Sequence, residues 1–159
     1  MQLPPRSRSQ RKADALDKLR TEVDLWVASA SEDAQPYLVP LSYSWDGSKL
    51  TVATARASRT AKNLIRSGRA RAALGPTRDV VIIEGSVEAI VMGADPVIEE
   101  RHAQATGFDP RNFSDEYIYF RITPRDPGVA RIKRTKRPPA DATGRVARLT
   151  STTIARLHE

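Results

Sequence analysis

The chain has 159 residues, of which 40% are hydrophobic and 28% charged, with a formal net charge of +7; this balance suits one globular domain with a buried core and excludes wholesale disorder. It has no cysteine and two histidines, which excludes disulfides and thiolate nucleophiles and leaves too few ligands for an ordinary zinc site, so no metal site is expected. No run approaches the roughly 18 to 20 apolar residues of a membrane span, and Met1 to Lys12 has no apolar stretch behind it of the kind a secretory signal needs, so the expected location is cytoplasmic.

Gln10 to Val23 carries Leu16, Leu19 and Val23 at helical spacing and predicts a helix. Leu25 to Ala30 and Pro36 to Trp45 read as strands, the second alternating with aromatic and β-branched members. Asp46-Gly47 then gives a hairpin signal, with Lys49 to Ala55 as the returning strand. Ser58 to Ser67 has a capping residue at its start and Gly68 at its end, which predicts a short helix. Arg69 to Gly75 and Asp79 to Val91 are strand-like, Asp95-Pro96 opens another helix to about Ala105, and Tyr117 to Thr123 is an alternating aromatic strand ended by Pro124. Val129 to Ile132 could add one more strand, after which Arg137-Pro138-Pro139 reads as linker. Six or seven strands spaced by turn signals predict a mainly β fold, an antiparallel barrel or sandwich with intermittent helices rather than alternating βαβ units.

The charge is uneven. Residues 1–20 carry +4 and residues 124–159 carry +6, leaving −3 for residues 21–123. A surplus held in Pro-containing ends argues against a folded nucleic-acid module, which would place its basic stripe on ordered elements. Between Arg56 and Arg78, however, seven cations stand without one acid. They form either a local well for an anion or a solvated basic face. Within this stretch a strand runs into a hydroxyl- and cation-rich loop that starts a helix. Backbone N–H groups, Ser58, Thr60 and the charge of Arg59 or Lys62 could meet on one phosphate there. Ser58 acting only as a helix cap is the competing reading.

The order Trp26-Val27-Ala28-Ser29-Ala30, Pro36-Tyr37-Leu38-Val39-Pro40-Leu41, Trp45-Asp46-Gly47, Thr54 to Leu64, Gly75 to Gly85 and Phe120-Arg121-Ile122-Thr123-Pro124 resembles the pyridoxamine 5'-phosphate oxidase-like family of flavin-binding split barrels, in particular its small actinobacterial-type members. The resemblance spans about residues 10–125. It implies an antiparallel split β-barrel with two or three short helices over residues 10–135, between a flexible segment 1–9 and a basic tail 136–159. It also implies a homodimer with flavin sites between subunits, and a flavin-dependent oxidoreductase acting on a small substrate. FMN is the first choice of cofactor, a deazaflavin coenzyme the alternative, and a protein that binds a cofactor or nucleic acid without turnover the reading outside that class. By the same resemblance the flavin ring would lie along Val39, Leu41 and Ser42 and along Val52, Ala53, Thr54 and Ala55. Its phosphate would lie at Ser58, Arg59, Thr60 and Asn63. Many relatives have lysine where this chain has Thr60, so the phosphate charge would come from Arg59, Lys62 or Arg56. The chain also lacks the tryptophan that relatives often carry after the strand ending in Pro124, and their terminal aromatic.

No catalytic residue emerges. His102, in the second short helix of the core region, reads as a surface histidine because no nucleophile motif accompanies it. Adjacent Glu99 and Glu100 would point about 100° apart on a helix and make no dyad. Trp26, Trp45, Tyr37 and Tyr43 read as core or dimer-interface aromatics.

Overall fold

Strands whose side chains alternate between apolar and polar bury one face, and a sheet of such strands shelters that face by closing on itself. In the computed structural model, which describes residues 7–113, 116–125 and 131–133, the elements are α1 (Arg8–Thr21), β1 (Asp24–Ala30), β2 (Pro36–Trp45), β3 (Leu50–Ala55), α2 (Arg59–Ser67), β4 (Arg69–Leu74), β5 (Val80–Val91), α3 (Pro96–Thr106), a 3₁₀ turn (Pro110–Phe113), β6 (Tyr117–Pro124) and β7 (Arg131–Lys133). The strands pair in the order β4-β1-β2-β3-β6-β5-β7, and β4 also pairs with β5. Every pairing is antiparallel. Six strands therefore close into an antiparallel barrel with three α-helices around it, the mainly β split-barrel architecture expected from the sequence.

The barrel interior holds Leu25, Val27, Tyr43, Leu50, Val52, Ala72, Leu74, Val81, Ile83, Ile118, Phe120 and Ile122. Helices close the two ends. Ala15 and Leu19 of α1 join the core, the Tyr43 hydroxyl donates to the Leu19 carbonyl at 3.2 Å, and Lys18 pairs with Asp79 at 2.8 Å. At the other end, α2 inserts Ala61 and Leu64 into the core and packs against β1, β2, β3 and β5. Helix α1 begins at Arg8, earlier than expected, because Ser7 and Gln10 form a reciprocal capping box. The hairpin signal at Asp46-Gly47 is a β2–β3 turn in which the Asp46 carboxylate accepts from the Ser48 and Lys49 N–H groups at 2.9 and 2.8 Å.

Gly85 is where β5 and β6 press together: a Cβ there would lie 2.4 Å from the Thr123 carbonyl oxygen, so any larger residue would push the strands apart. Among the described residues no helix is long and apolar enough to cross a membrane. The basic tail 136–159 and the start of the last expected strand, Val129 and Ala130, lie outside the described residues.

Candidate functional site

The β2–β3 ladder is short. It joins only Tyr43 to Val52, Ser44 to Thr51 and Trp45 to Leu50. Before Tyr43, β2 pairs with β1. After Val52, β3 pairs with β6. The two strands thus part, and no strand pairing among the described residues joins the segment 36–42 to the segment 53–55. A strand edge without a partner leaves N–H and C=O groups free to bind something else. Val39, Leu41 and Ser42 lie on one lip of this split, and Ala53, Thr54 and Ala55 on the other. Val52 is the last paired residue, with its side chain fully inside the core, so only its backbone could meet a ligand.

The side chains on the lips differ in use. Val39 and Leu41 pack against the core, whereas the Ser42 hydroxyl donates to Asp24 at 2.6 Å. Ala53 is buried, while Thr54 and Ala55 are half-buried. The Thr54 hydroxyl lies 3.4 Å from that of Ser58, which ties the β3 lip to the start of α2.

The start of α2 follows directly on that lip. Ser58 takes the N-cap geometry and its hydroxyl accepts from the Ala61 N–H at 3.1 Å, so it does cap the helix. The cap satisfies one of the N–H groups a helix leaves unpaired in its first turn. No acidic side chain stands in that turn to neutralise the positive end of the helix dipole. Arg59 is exposed, its guanidinium 6.0 Å from the Tyr37 ring centre, and Lys62 is exposed one turn on. Thr60 and Asn63 are buried, and the Asn63 amide donates to the Ser29 hydroxyl at 3.2 Å, so that amide already serves to seat α2 on β1. The structure therefore brings Ser58, the Arg59 side chain and the first-turn backbone together at the mouth of the split, with Thr60 and Asn63 behind them.

The seven cations between Arg56 and Arg78 do not converge. Arg56 in the exposed turn after β3 and Arg59 and Lys62 on the exposed side of α2 form one group, Arg66 lies near the far end of that helix, Arg69 and Arg71 stand on the outer face of β4, and Arg78 sits in the β4–β5 turn. Only the first of these groups borders the split.

The family model for pyridoxamine 5'-phosphate oxidase matches residues 13–123. The chain belongs to that family. The match takes in every strand from β1 to β6 and both sides of the split. Solved structures share the fold at low identity. An F420 reductase is 14% identical with a TM-score of 0.58, the alignment covering 78% of this chain and 97% of that one. A FAD-binding protein from Mesorhizobium loti is 17% identical at a TM-score of 0.58, covering 72% and 87%. A haem-binding protein from Mycobacterium smegmatis is 12% identical at 0.57, covering 76% of this chain and 52% of that one. No curated protein matches the sequence.

His102 corrects the sequence reading of this pyridoxamine 5'-phosphate oxidase family member. It is 1% exposed, held beneath α3 against the outer face of the barrel, with its ring edge-on to Tyr119 at 5.5 Å. Residues of β3 and β6 that point away from the interior, Thr51 and Tyr119, are buried because α3 covers them, and that cover is what buries the histidine. Glu99 and Glu100 take separate roles, as their spacing predicts: Glu99 accepts from the Gly93 N–H at 2.6 Å, and Glu100 pairs with Arg111 at 2.8 Å. Burial lowers the His102 pKa to about 4, against the opposing effect of a hydrogen bond to the Thr51 backbone. A base whose pKa falls on folding binds more protons in the unfolded state between its two values. Stability should therefore decline as pH drops from about 6.5 toward 4 and level off below. Urea melts across that range should show the decline in wild type and a smaller one in His102→Gln; equal slopes in both would remove His102 as the cause.

Proposed function

We propose that the protein is a flavin-dependent oxidoreductase that holds FMN in the split between β2 and β3. The observation that carries this reading is the junction of two unpaired strand edges with an acid-free helix start bearing Arg59. It offers a planar ring a line of backbone donors and acceptors, and offers a phosphate a charged fork plus first-turn N–H groups. A flavin supplies the hydride chemistry itself when bound. The chain's share is placement. Arg59 and the α2 backbone would hold the phosphate, the lips at Val39 to Ser42 and Ala53 to Ala55 would align the ring, and the packed interior behind Val39 and Leu41 would keep water from its inner edge. Membership of the family and a FAD-binding protein of the same fold support the flavin. The F420 reductase of the same fold supports a deazaflavin as the second reading. The haem-binding protein supports a third ligand class less well, because His102 is buried beneath α3 rather than at the split.

A second copy of the chain would complete the site. Trp26 and Leu38 are 50% and 58% exposed on the outer face of neighbouring strands, where Trp26 pairs with Pro40 and Ala28 with Leu38. An apolar face of this kind suits a twofold interface. Light scattering at micromolar concentration should give twice the chain mass, and Leu38→Arg should halve it; a wild-type monomer would contradict the dimer.

Titration of apo-protein with FMN, and in parallel with a deazaflavin coenzyme, tests the cofactor. Arg59→Ala should weaken the bound form by tenfold to a hundredfold, the roughly 1.5 to 3 kcal/mol of a charge-assisted hydrogen bond. Lys62→Ala should cost less. Unchanged affinity in Arg59→Ala would remove that arginine from the site, and no binding of either cofactor by wild type would defeat the assignment.

A further inference from the structure

Residues at the end of β1, the start of β4, the middle of β5 and the end of β6 surround a second depression, bounded by the last turn of α2, with a volume of about 760 Å³. That is within the range of small-molecule sites. None of the residues assigned to the flavin lines it. Four arginines do, Arg66, Arg69, Arg71 and Arg125, against one acid, Glu84. Glu84 is engaged by Arg71, and Arg66 spends one N–H on the Ala30 carbonyl at 2.8 Å. Among the described residues Arg69 and Arg125 form no ion pair. The register places them diagonally across β5. Arg69 pairs with Ser86, while the Arg125 N–H donates to the Glu84 carbonyl at 2.8 Å two residues away, so the two arginines flank β5 from either side with their backbones roughly 12 Å apart, two strand spacings across and two residues along. The apolar face with Trp26 and Leu38 adjoins the depression, because Ala28, on its rim, pairs with Leu38.

We infer that this groove is a binding site for a ligand bearing a chain of phosphates, separate from the flavin site. Each guanidinium presents a planar fork that matches phosphate oxygens two at a time. One phosphate could occupy two of these forks, whereas a chain of phosphates can engage several of the four arginines on the rim at once. The hydroxyl groups of Ser86 and Thr123 lie between them as neutral donors. Both a nucleoside triphosphate and inorganic polyphosphate carry this chemistry.

Calorimetric titration of the full chain with inorganic tripolyphosphate and with ATP, at fixed ionic strength, tests the site. One ligand should bind per chain, and the double variant Arg69→Ala with Arg125→Ala should weaken it at least tenfold. Arg20→Ala, an exposed cation on α1 at the opposite end of the barrel, should change it less than twofold. Equal affinity for the two ligands would assign recognition to the phosphates alone, and tighter ATP binding would add a nucleoside contact; both support the site. Absence of binding, or equal weakening in Arg20→Ala, would overturn it by showing only diffuse charge. Displacement of bound FMN by tripolyphosphate would overturn it by merging the two sites. Failure of FMN to bind at all leaves the tripolyphosphate result standing, so the two readings fail separately.

Discussion

Closure of the sheet through β4 constrains the rest of the molecule. Because β4 pairs with β1 on one side and β5 on the other, the six strands must form a ring. A ring this small must either fill its ends or expose its core. Helices α1 and α2 fill them. Two ladders of the ring are only three residue pairs long, β1–β4 and β2–β3, and at the second seam β2 and β3 then diverge. Helix α2 follows directly from β3 and must start beside that seam, so the fold delivers a helix N-terminus to the place where strand edges are free.

The chemistry of the seam then depends on which side chains the helix presents there. Ala61 and Leu64 turn inward to plug the barrel, which leaves Arg59 and Lys62 on the outside. Asn63 is drawn inward by Ser29 and fixes the rotation of the helix. A polar group buried in this way is costly unless paired, so its bond to β1 makes the orientation of Arg59 a consequence of core packing. Charge elsewhere serves the scaffold. Asp46 at the β2–β3 turn engages Arg121 of β6 and holds the closed part of the seam shut. Its carboxyl stays below the usual range because the hydrogen bonds from Lys49 and Ser48 and the Arg121 charge outweigh burial.

Much of this order is legible in the sequence because strands advertise themselves by alternation. The span Pro36 to Trp45 and the strand from Tyr117 are read from pattern alone, and Ser58 with Gly68 brackets α2 by capping chemistry. Long-range facts are less visible. The spread of the seven cations over a helix, a strand and two turns depends on β4 folding back against β1, which no local spacing encodes. The burial of His102 follows from α3 lying over β2 and β3, with the histidine ring against Tyr119 of β6. Its sequence signal is indirect: Thr51, Ala53 and Tyr119 occupy outward positions yet are small or aromatic rather than charged, as a face awaiting cover would be. The parting of β2 from β3 is likewise a matter of pairing, and the residues on its lips were identified through the family resemblance, not through periodicity.

The central claim is that the seam beside α2 is a flavin site, and the protein as purified tests it most directly. The visible absorption spectrum of fresh, full-length protein, taken with the mass of the ligand released on denaturation, should show an oxidised flavin and the mass of FMN. A colourless protein that releases neither flavin nor deazaflavin, and gains no absorbance when FMN is added, would contradict the account.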